Sequence, residues 1–81
     1  MFTVYILFSE EIQKHYVGYT SKSADERLKE HLYNHLGFTA RAQDWIIIFQ
    51  QKVILKSEAL LLEKKIKKRG AKRYLNDIAS R

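Results

Sequence analysis

Apolar and polar positions along the chain predict three strands. Residues 2–8 (FTVYILF) and 16–19 (YVGY) are apolar or aromatic and are separated by the polar stretch 9–14, a pattern typical of a β-hairpin. Residues 45–55 (WIIIFQQKVIL) form the most apolar segment of the chain. We therefore predict a third strand there and expect it to lie at the centre of the sheet.

A helical pattern begins where the hairpin ends. Apolar residues recur every four positions between residues 24 and 36, with Ser23 available as the N-cap and Gly37 as the residue that ends the helix. The following segment, GFTARAQDW, is polar and reads as a loop. The first helix is therefore predicted over about residues 23–36.

Two further helices are predicted after the third strand. Ser57 can serve as the N-cap of a helix that runs to about Arg69, and Gly70 follows as its C′ residue. Residues 71–79 read as a short third helix. The order ββαβαα predicts an α+β fold, in which helices flank a small three-stranded antiparallel sheet. We expect residues 1–81 to form a single domain.

The composition narrows the possible chemistry and location. The 81 residues include no cysteine, which excludes disulfides, a thiolate nucleophile and zinc–thiolate sites. The first ten residues lack the basic start and cleavage site of a signal peptide, and no apolar run is long enough to span a bilayer. We expect a cytoplasmic protein without a membrane partner.

The net charge of +6 is concentrated in the C-terminal part of the chain. Residues 1–51 carry five Lys/Arg against six Asp/Glu, whereas residues 52–81 carry ten against three. The stretch KKIKKRGAKR alone holds seven basic side chains, a density that attracts polyphosphates. The alternative is a solvated helix face that only keeps the protein in solution.

Three hydrogen-bonding residues fall on one side of the first helix. At 100° per residue, Arg27, His31 and Asn34 lie together along the border of the apolar stripe, where a cleft commonly begins. Arg27 could instead form a surface ion pair with Glu30 or Asp25, and His31 could be a boundary histidine with its hydrogen bonds satisfied. Neither alternative accounts for the clustering of the three residues.

Glu63 occupies an unusual position on the second helix. It projects between Ala59, Leu60 and Ile66, toward the apolar face, where an unpaired carboxylate is costly. An ion pair with Lys67, four residues on, is one explanation. The other is a magnesium ion that Glu63 anchors while water and a substrate phosphate complete its coordination.

These motifs together resemble the GIY-YIG nuclease superfamily over nearly the whole chain. The half-motifs correspond to TVY, ending at Tyr5, and YVG, starting at Tyr16, with ten residues between the tyrosines. ERLKEH carries the family arginine as Arg27, FTARAQDW resembles the loop before the third strand, and SEALLLEKKIKK carries the metal-binding glutamate as Glu63. Thr3 departs from the family pattern, because it stands where the name-giving glycine would be.

The resemblance implies a metal-dependent endonuclease. It implies that Tyr5 is the general base, that Arg27 holds the phosphate and that Glu63 binds one divalent ion, Mg²⁺ or Mn²⁺, while Tyr16 and His31 support the network. A phenol with its ordinary pKa near 10 is a poor base at neutral pH, so we expect nearby cations to favour the phenolate. DNA is the expected substrate, contacted by the basic residues Lys64, Lys65, Lys68, Arg69, Lys72 and Arg73.

Several alternatives remain open from the sequence. A nucleic-acid-binding module with little or no catalysis would share the fold and the basic helices, and an interaction protein with an acidic partner is a third interpretation. Gly18 could allow a close approach of the backbone or mark a β-bulge. Whether Asn76 and Lys14 take part in the site stays undecided.

Overall fold

The computed structural model describes residues 1–33 and 41–80, and for residues 31–33 it describes the backbone alone. The elements follow the predicted order ββαβαα, and the α+β class is confirmed. The predicted end of the first helix, residues 34–36 with Gly37, lies outside the described residues. The elements are β1 (Phe2–Ser9), β2 (Lys14–Thr20), α1 (Ala24–Tyr33), β3 (Ile46–Val53), α2 (Lys56–Arg69) and α3 (Ala71–Ala79).

The central strand of the antiparallel sheet is β1. It pairs with β2 on one side and with β3 on the other, giving the order β2-β1-β3. Our prediction that the third strand is central was wrong. Ile46 and Ile48 of β3 are 56% and 38% exposed, whereas the side chains of residues 3–7 in β1 are buried. The apolar run of β3 therefore contributes Phe49 to one core and Ile47 to the other, while Ile46 and Ile48 face solvent.

The helices pack on both faces of this sheet. On one face, Ile6 of β1 and Val17 of β2 meet Ala59 and Ile66 of α2, and α3 packs beside them. On the other face, Tyr5 belongs to a second core that contains α1 and the segment before β3. The two cores follow from the period-2 alternation of side chains along β1.

Local hydrogen bonds determine where the helices begin and end. The Ser23 hydroxyl accepts from the backbone N–H of Glu26 at 3.1 Å, as an N-cap does, so this prediction is confirmed. The predicted N-cap at Ser57 was wrong, because α2 already starts at Lys56 and the Glu58 carboxylate accepts from the N–H of Leu55 at 3.0 Å. A carboxylate at this position satisfies a free donor of the first turn, and the helix can begin two residues earlier than predicted.

Gly70 ends α2 as predicted. Its φ of 92° is in a region that glycine adopts without strain, and its N–H donates to the carbonyl of Ile66 at 2.8 Å. The chain then turns directly into α3. Among the helices that the structure describes, none has the length and apolar character needed to cross a membrane.

Candidate active site

Tyr5 and Tyr16 project from the same face of the sheet. In the β1–β2 ladder Tyr5 pairs with Gly18 and Leu7 pairs with Tyr16, so the two tyrosines are offset by two positions along the ladder. Their ring centroids are 6.4 Å apart, with the planes tilted by 36°. Tyr5 is only 1% exposed, whereas Tyr16 is half-buried. The hairpin therefore brings one buried phenol and one partly accessible phenol side by side.

Gly18 leaves room for the Tyr5 ring. A Cβ atom at Gly18 would lie 2.7 Å from the phenolic oxygen of Tyr5 and 2.9 Å from its Cζ, closer than real contacts allow. The irregularity of the sheet lies elsewhere, between Ile6 and Leu7 on the side of β3. Close approach, rather than a bulge, accounts for the glycine.

Arg27 of α1 contacts the Tyr5 phenol. Its guanidinium hydrogen-bonds the phenolic oxygen and also donates to Glu30 at 2.6 Å, and Glu30 in turn pairs with Lys22. The surface ion pair that the sequence suggested for Arg27 is thus present together with the contact to Tyr5. Because Arg27 has five N–H donors, it can serve both partners.

Burial dominates the ionisation of Tyr5. The pKa of Tyr5 is raised to about 12, first of all by burial and to a smaller extent by the negative charges that Tyr16 and Glu63 can carry, while the hydrogen bond and charge of Arg27 lower it. Arg27 thus favours the phenolate, as expected of a nearby cation, but burial outweighs it. One guanidinium does not offset the loss of hydration of a buried phenolate.

Glu63 lies close enough to the paired tyrosines for its charge to act on Tyr5. Its side chain is 18% exposed and accepts from Lys67 Nζ at 3.1 Å, so the helical ion pair that the sequence suggested is present. Within the described residues, no three His, Asp or Glu side chains form a metal-binding cluster. A single half-buried carboxylate still suits Mg²⁺, which keeps several waters and takes its other ligands from phosphate.

Two grooves flank these residues along the outer edge of β2. One, of about 330 Å³, is lined by Tyr16 and Val17 of β2 and by Lys67 of α2. The other groove has a volume of about 530 Å³, and Arg27 and Lys22 are among the residues that line it. Because Tyr16 and Val17 point to opposite faces of β2, the first groove runs around the edge of the sheet.

The groove beside Arg27 also contains residues that the sequence did not single out. Lys22 and Lys56 both line it, one before α1 and one at the start of α2. They lie 34 positions apart in the sequence and outside the dense basic run, so only the fold brings them together. Their ammonium groups give the groove two cations besides Arg27.

The predicted nucleic-acid contacts all lie on α2 and α3. Of these, Arg69 already forms two hydrogen bonds with the Asp77 carboxylate, at 2.8 and 3.1 Å. Asn76 is exposed on α3, and Lys14 is exposed at the start of β2. The side chains of these six basic residues are exposed: Lys64, Lys65, Lys68, Arg69, Lys72 and Arg73.

Two residues of the predicted cluster cannot be placed. The backbone of His31 lies in α1, but its side chain is outside the described part of the structure, and Asn34 is outside it altogether. The structure brings Tyr5, Tyr16, Arg27 and Glu63 to one region of the molecule.

These observations define a small α+β domain whose polar site combines a phenol, a guanidinium and a carboxylate at the edge of a three-stranded sheet. The family model described as the GIY-YIG catalytic domain matches residues 1–76, and the chain belongs to this family, whose fold is of the nuclease type. Members of the family act on nucleic acids and generally use a divalent metal. Neither curated proteins nor solved structures gave a match.

Proposed function

We propose that the protein is a metal-dependent endonuclease that hydrolyses phosphodiester bonds in DNA. The observation that carries the proposal is the arrangement around the Tyr5 phenol, which is hydrogen-bonded by Arg27 and acted on by the charge of Glu63. Hydrolysis of a phosphodiester needs a base for water and positive charge for the transition state. These side chains are suited to both tasks.

Each residue has one part in the proposed reaction. Tyr5, as the phenolate, accepts a proton from the attacking water, and the resulting hydroxide forms the new P–O bond while the bond to the leaving oxygen breaks. Arg27 holds the phosphate with two N–H donors and stabilises the added negative charge. Glu63 is the residue that would hold the divalent ion, whose positive charge stabilises oxygens of the reacting phosphate.

The ion pairs that Arg27 and Glu63 form in the absence of substrate are consistent with this scheme. Glu30 occupies donors of Arg27, and Lys67 occupies an oxygen of Glu63. Both pairs are partly exposed, so solvent screens them and each contributes little to stability. A bound phosphate can therefore replace Glu30 on Arg27 at little cost.

A panel of DNA substrates tests the proposal. Branched, nicked, single-stranded and duplex DNA are incubated with wild type, Tyr5→Phe and Tyr74→Phe, with Mg²⁺, with Mn²⁺ or with chelator. We expect metal-dependent cleavage by wild type, a loss of about 10²–10⁴-fold in Tyr5→Phe, and wild-type rates in Tyr74→Phe. Tyr74 is a matched control because it is half-buried on α3 and packs against Phe49.

Failure to cut any of the four substrates, or equal rates in wild type and Tyr5→Phe, would contradict the proposal.

A second candidate function is a non-catalytic nucleic-acid-binding module of the same fold. The raised pKa of Tyr5 favours it, since a phenol that stays protonated cannot act as a base. This alternative predicts salt-sensitive binding to the panel without products under any metal condition.

A further inference from the structure

A further cavity lies next to the groove that Tyr16 lines, at the end of the sheet where β1 leads into β2. It has a volume of about 430 Å³. Phe8 and His15 form directly opposed residues of the β1–β2 ladder, and their ring centroids are 4.8 Å apart with a tilt of 49°. Gln13, Ile48 and Lys72 complete the lining. The cavity thus combines two rings and an aliphatic side chain with one carboxamide and one ammonium group.

His15 connects this cavity to the candidate active site. It lines both the 430 Å³ cavity and the groove that contains Tyr16 and Lys67. A ligand that extends along the edge of β2 from Tyr16 therefore reaches Phe8 and Lys72 next. The two spaces are adjacent parts of one path along the strand.

The lining suits a flat, uncharged ring attached to an anion. Phe8 and His15 are both half-buried, so each ring leaves part of its surface accessible. Burial and the nearby charge of Lys72 lower the pKa of His15, which keeps the imidazole neutral at pH 7. Neutral aromatic rings stack on nucleobases, and an ammonium group pairs with the phosphate that follows the base.

We propose that this cavity binds one unpaired nucleobase of the DNA strand, stacked on Phe8 and His15, with Lys72 at the adjoining phosphate. The inference rests on the proposed function, since it assumes that the strand passes the groove of Tyr16. A base within an intact duplex is already stacked on both sides and must leave the helix to enter. The cavity therefore selects branched or single-stranded DNA over plain duplex.

Binding measured in chelator, by fluorescence anisotropy, tests the inference without cleavage. The probes are duplexes with a single-stranded overhang in which one position after another is made abasic. For wild type, we expect one abasic position to weaken binding by roughly 5- to 150-fold, the range for loss of one base–aromatic stack. In Phe8→Leu and in His15→Leu this loss should be smaller, because each variant removes one of the two rings that the base contacts.

Phe49→Leu is the matched control, since it also removes a half-buried strand ring, but Phe49 is not one of the residues that line the cavity. It should keep the full sensitivity to the abasic position. Uniform affinity of wild type for all abasic probes, or an abasic loss as large as that of wild type in both Phe8→Leu and His15→Leu, would overturn the base subsite alone. Absence of binding to every probe at low salt would overturn the subsite and the proposed function together.

Discussion

Tyr5 combines near-complete burial with a position next to two groups of opposite charge. Burial raises its pKa to about 12, although Arg27 hydrogen-bonds its oxygen. A base with this pKa is almost entirely protonated at neutral pH, so the proposed reaction requires further positive charge near the phenol. A divalent ion held by Glu63, as proposed, would supply that charge.

The raised pKa of Tyr5 predicts a loss of stability at high pH. The folded protein keeps the phenolic proton up to about pH 12, whereas the unfolded chain releases it near pH 10. The stabilisation is therefore fully present below about pH 10 and is lost as the pH rises toward 12. The linkage amounts to about 2–3 kcal/mol in total.

Urea unfolding of wild type and Tyr5→Phe at a series of pH values measures this effect. Other tyrosines and lysines titrate in both proteins, so their contribution cancels in the difference. We expect the free energy of unfolding of wild type to fall more steeply above pH 10 than that of Tyr5→Phe. Parallel curves would show that Tyr5 titrates normally in the folded state.

Replacement of Gly18 by alanine and of Gly70 by alanine should destabilise the protein for different reasons. In Gly18→Ala the new Cβ would collide with the Tyr5 hydroxyl, and we expect a cost of about 1–3 kcal/mol together with displacement of the phenol. In Gly70→Ala nothing lies within 4 Å, and the cost comes from the φ of 92°, also about 1–3 kcal/mol. Thermal unfolding should show both losses.

Only Gly18→Ala should also disturb the site. Ultraviolet titration of the phenols reports this, because a displaced Tyr5 is more hydrated and its pKa falls back toward 10. Gly70→Ala should leave the titration as in wild type. An unchanged titration in Gly18→Ala would mean that the Tyr5 ring does not depend on the glycine.

The residues of the site were largely predictable from the sequence, but their interactions were not. Tyr5, Tyr16, Arg27 and Glu63 could be chosen because they match a family pattern at the expected spacing. The pairing of Tyr5 with Gly18 depends on the strand register, which the strand pattern alone does not specify. The direction of the Tyr5 pKa shift depends on burial, which follows only from packing.

At the level of elements, helix α2 carries both the Glu63 carboxylate and the lysine that forms an ion pair with it. Glu63 and Lys67 are four residues apart and pair at 3.1 Å. Glu63→Gln should abolish metal-dependent cleavage while changing the free energy of unfolding by less than about 1 kcal/mol, since a partly exposed helical pair contributes little. Lys67→Met should lower the metal concentration needed for half-maximal rate, because the carboxylate loses its competitor.

Glu58→Gln is the matched control for Glu63→Gln on the same helix. Glu58 accepts from the N–H of Leu55 in the first turn, so this variant should lose some stability but keep the metal dependence of wild type. Metal titrations of the cleavage rate compare the three variants. Wild-type cleavage by Glu63→Gln would remove Glu63 from the metal site.

The elements themselves were predictable, but the position of β3 in the sheet was not. Its apolar character predicted a central strand, yet β3 lies at an edge and Ile46 and Ile48 are substantially exposed. Hydrophobicity alone does not distinguish a central strand from an edge strand that carries apolar residues on its outer face. The β1–β2 hairpin and the antiparallel return of β3 decide that β1 is central.

For the whole molecule, the position of the site depends on where the sheet ends. Tyr5 faces the core that contains α1, whereas α2, which carries Glu63, packs on the opposite face. Groups from two faces can meet only around an edge of the sheet, and the groove lined by Tyr16 and Val17 runs around the edge of β2. No local sequence pattern encodes this arrangement, because it depends on how α1, the sheet and α2 pack together.

The uneven charge of the chain predicts a salt-dependent affinity for DNA. Lys64, Lys65 and Lys68 are exposed on α2, whereas the neighbouring Arg69 is engaged by Asp77. Replacement of the three lysines by glutamine should flatten the slope of log K against log salt, by up to about 0.9 for each phosphate that is no longer neutralised. Arg69→Gln should change the slope less.

Lys29→Gln is the control for these charge changes, since Lys29 is exposed on α1 and lies outside the basic run. Binding of one duplex at several salt concentrations gives the slopes. An unchanged slope in the triple variant would mean that this part of α2 is only a solvated face.

The exposed side of β3 has a consequence for the protein in concentrated solution. Within the described residues β3 is an edge strand with an exposed Ile46, and such an edge can pair with that of a second copy. The net charge of +6 keeps copies apart at low ionic strength, but the Debye length falls from about 10 Å at 0.1 M salt to about 3 Å at 1 M. Salt added to strip DNA from the protein therefore also removes the colloidal repulsion that opposes self-association.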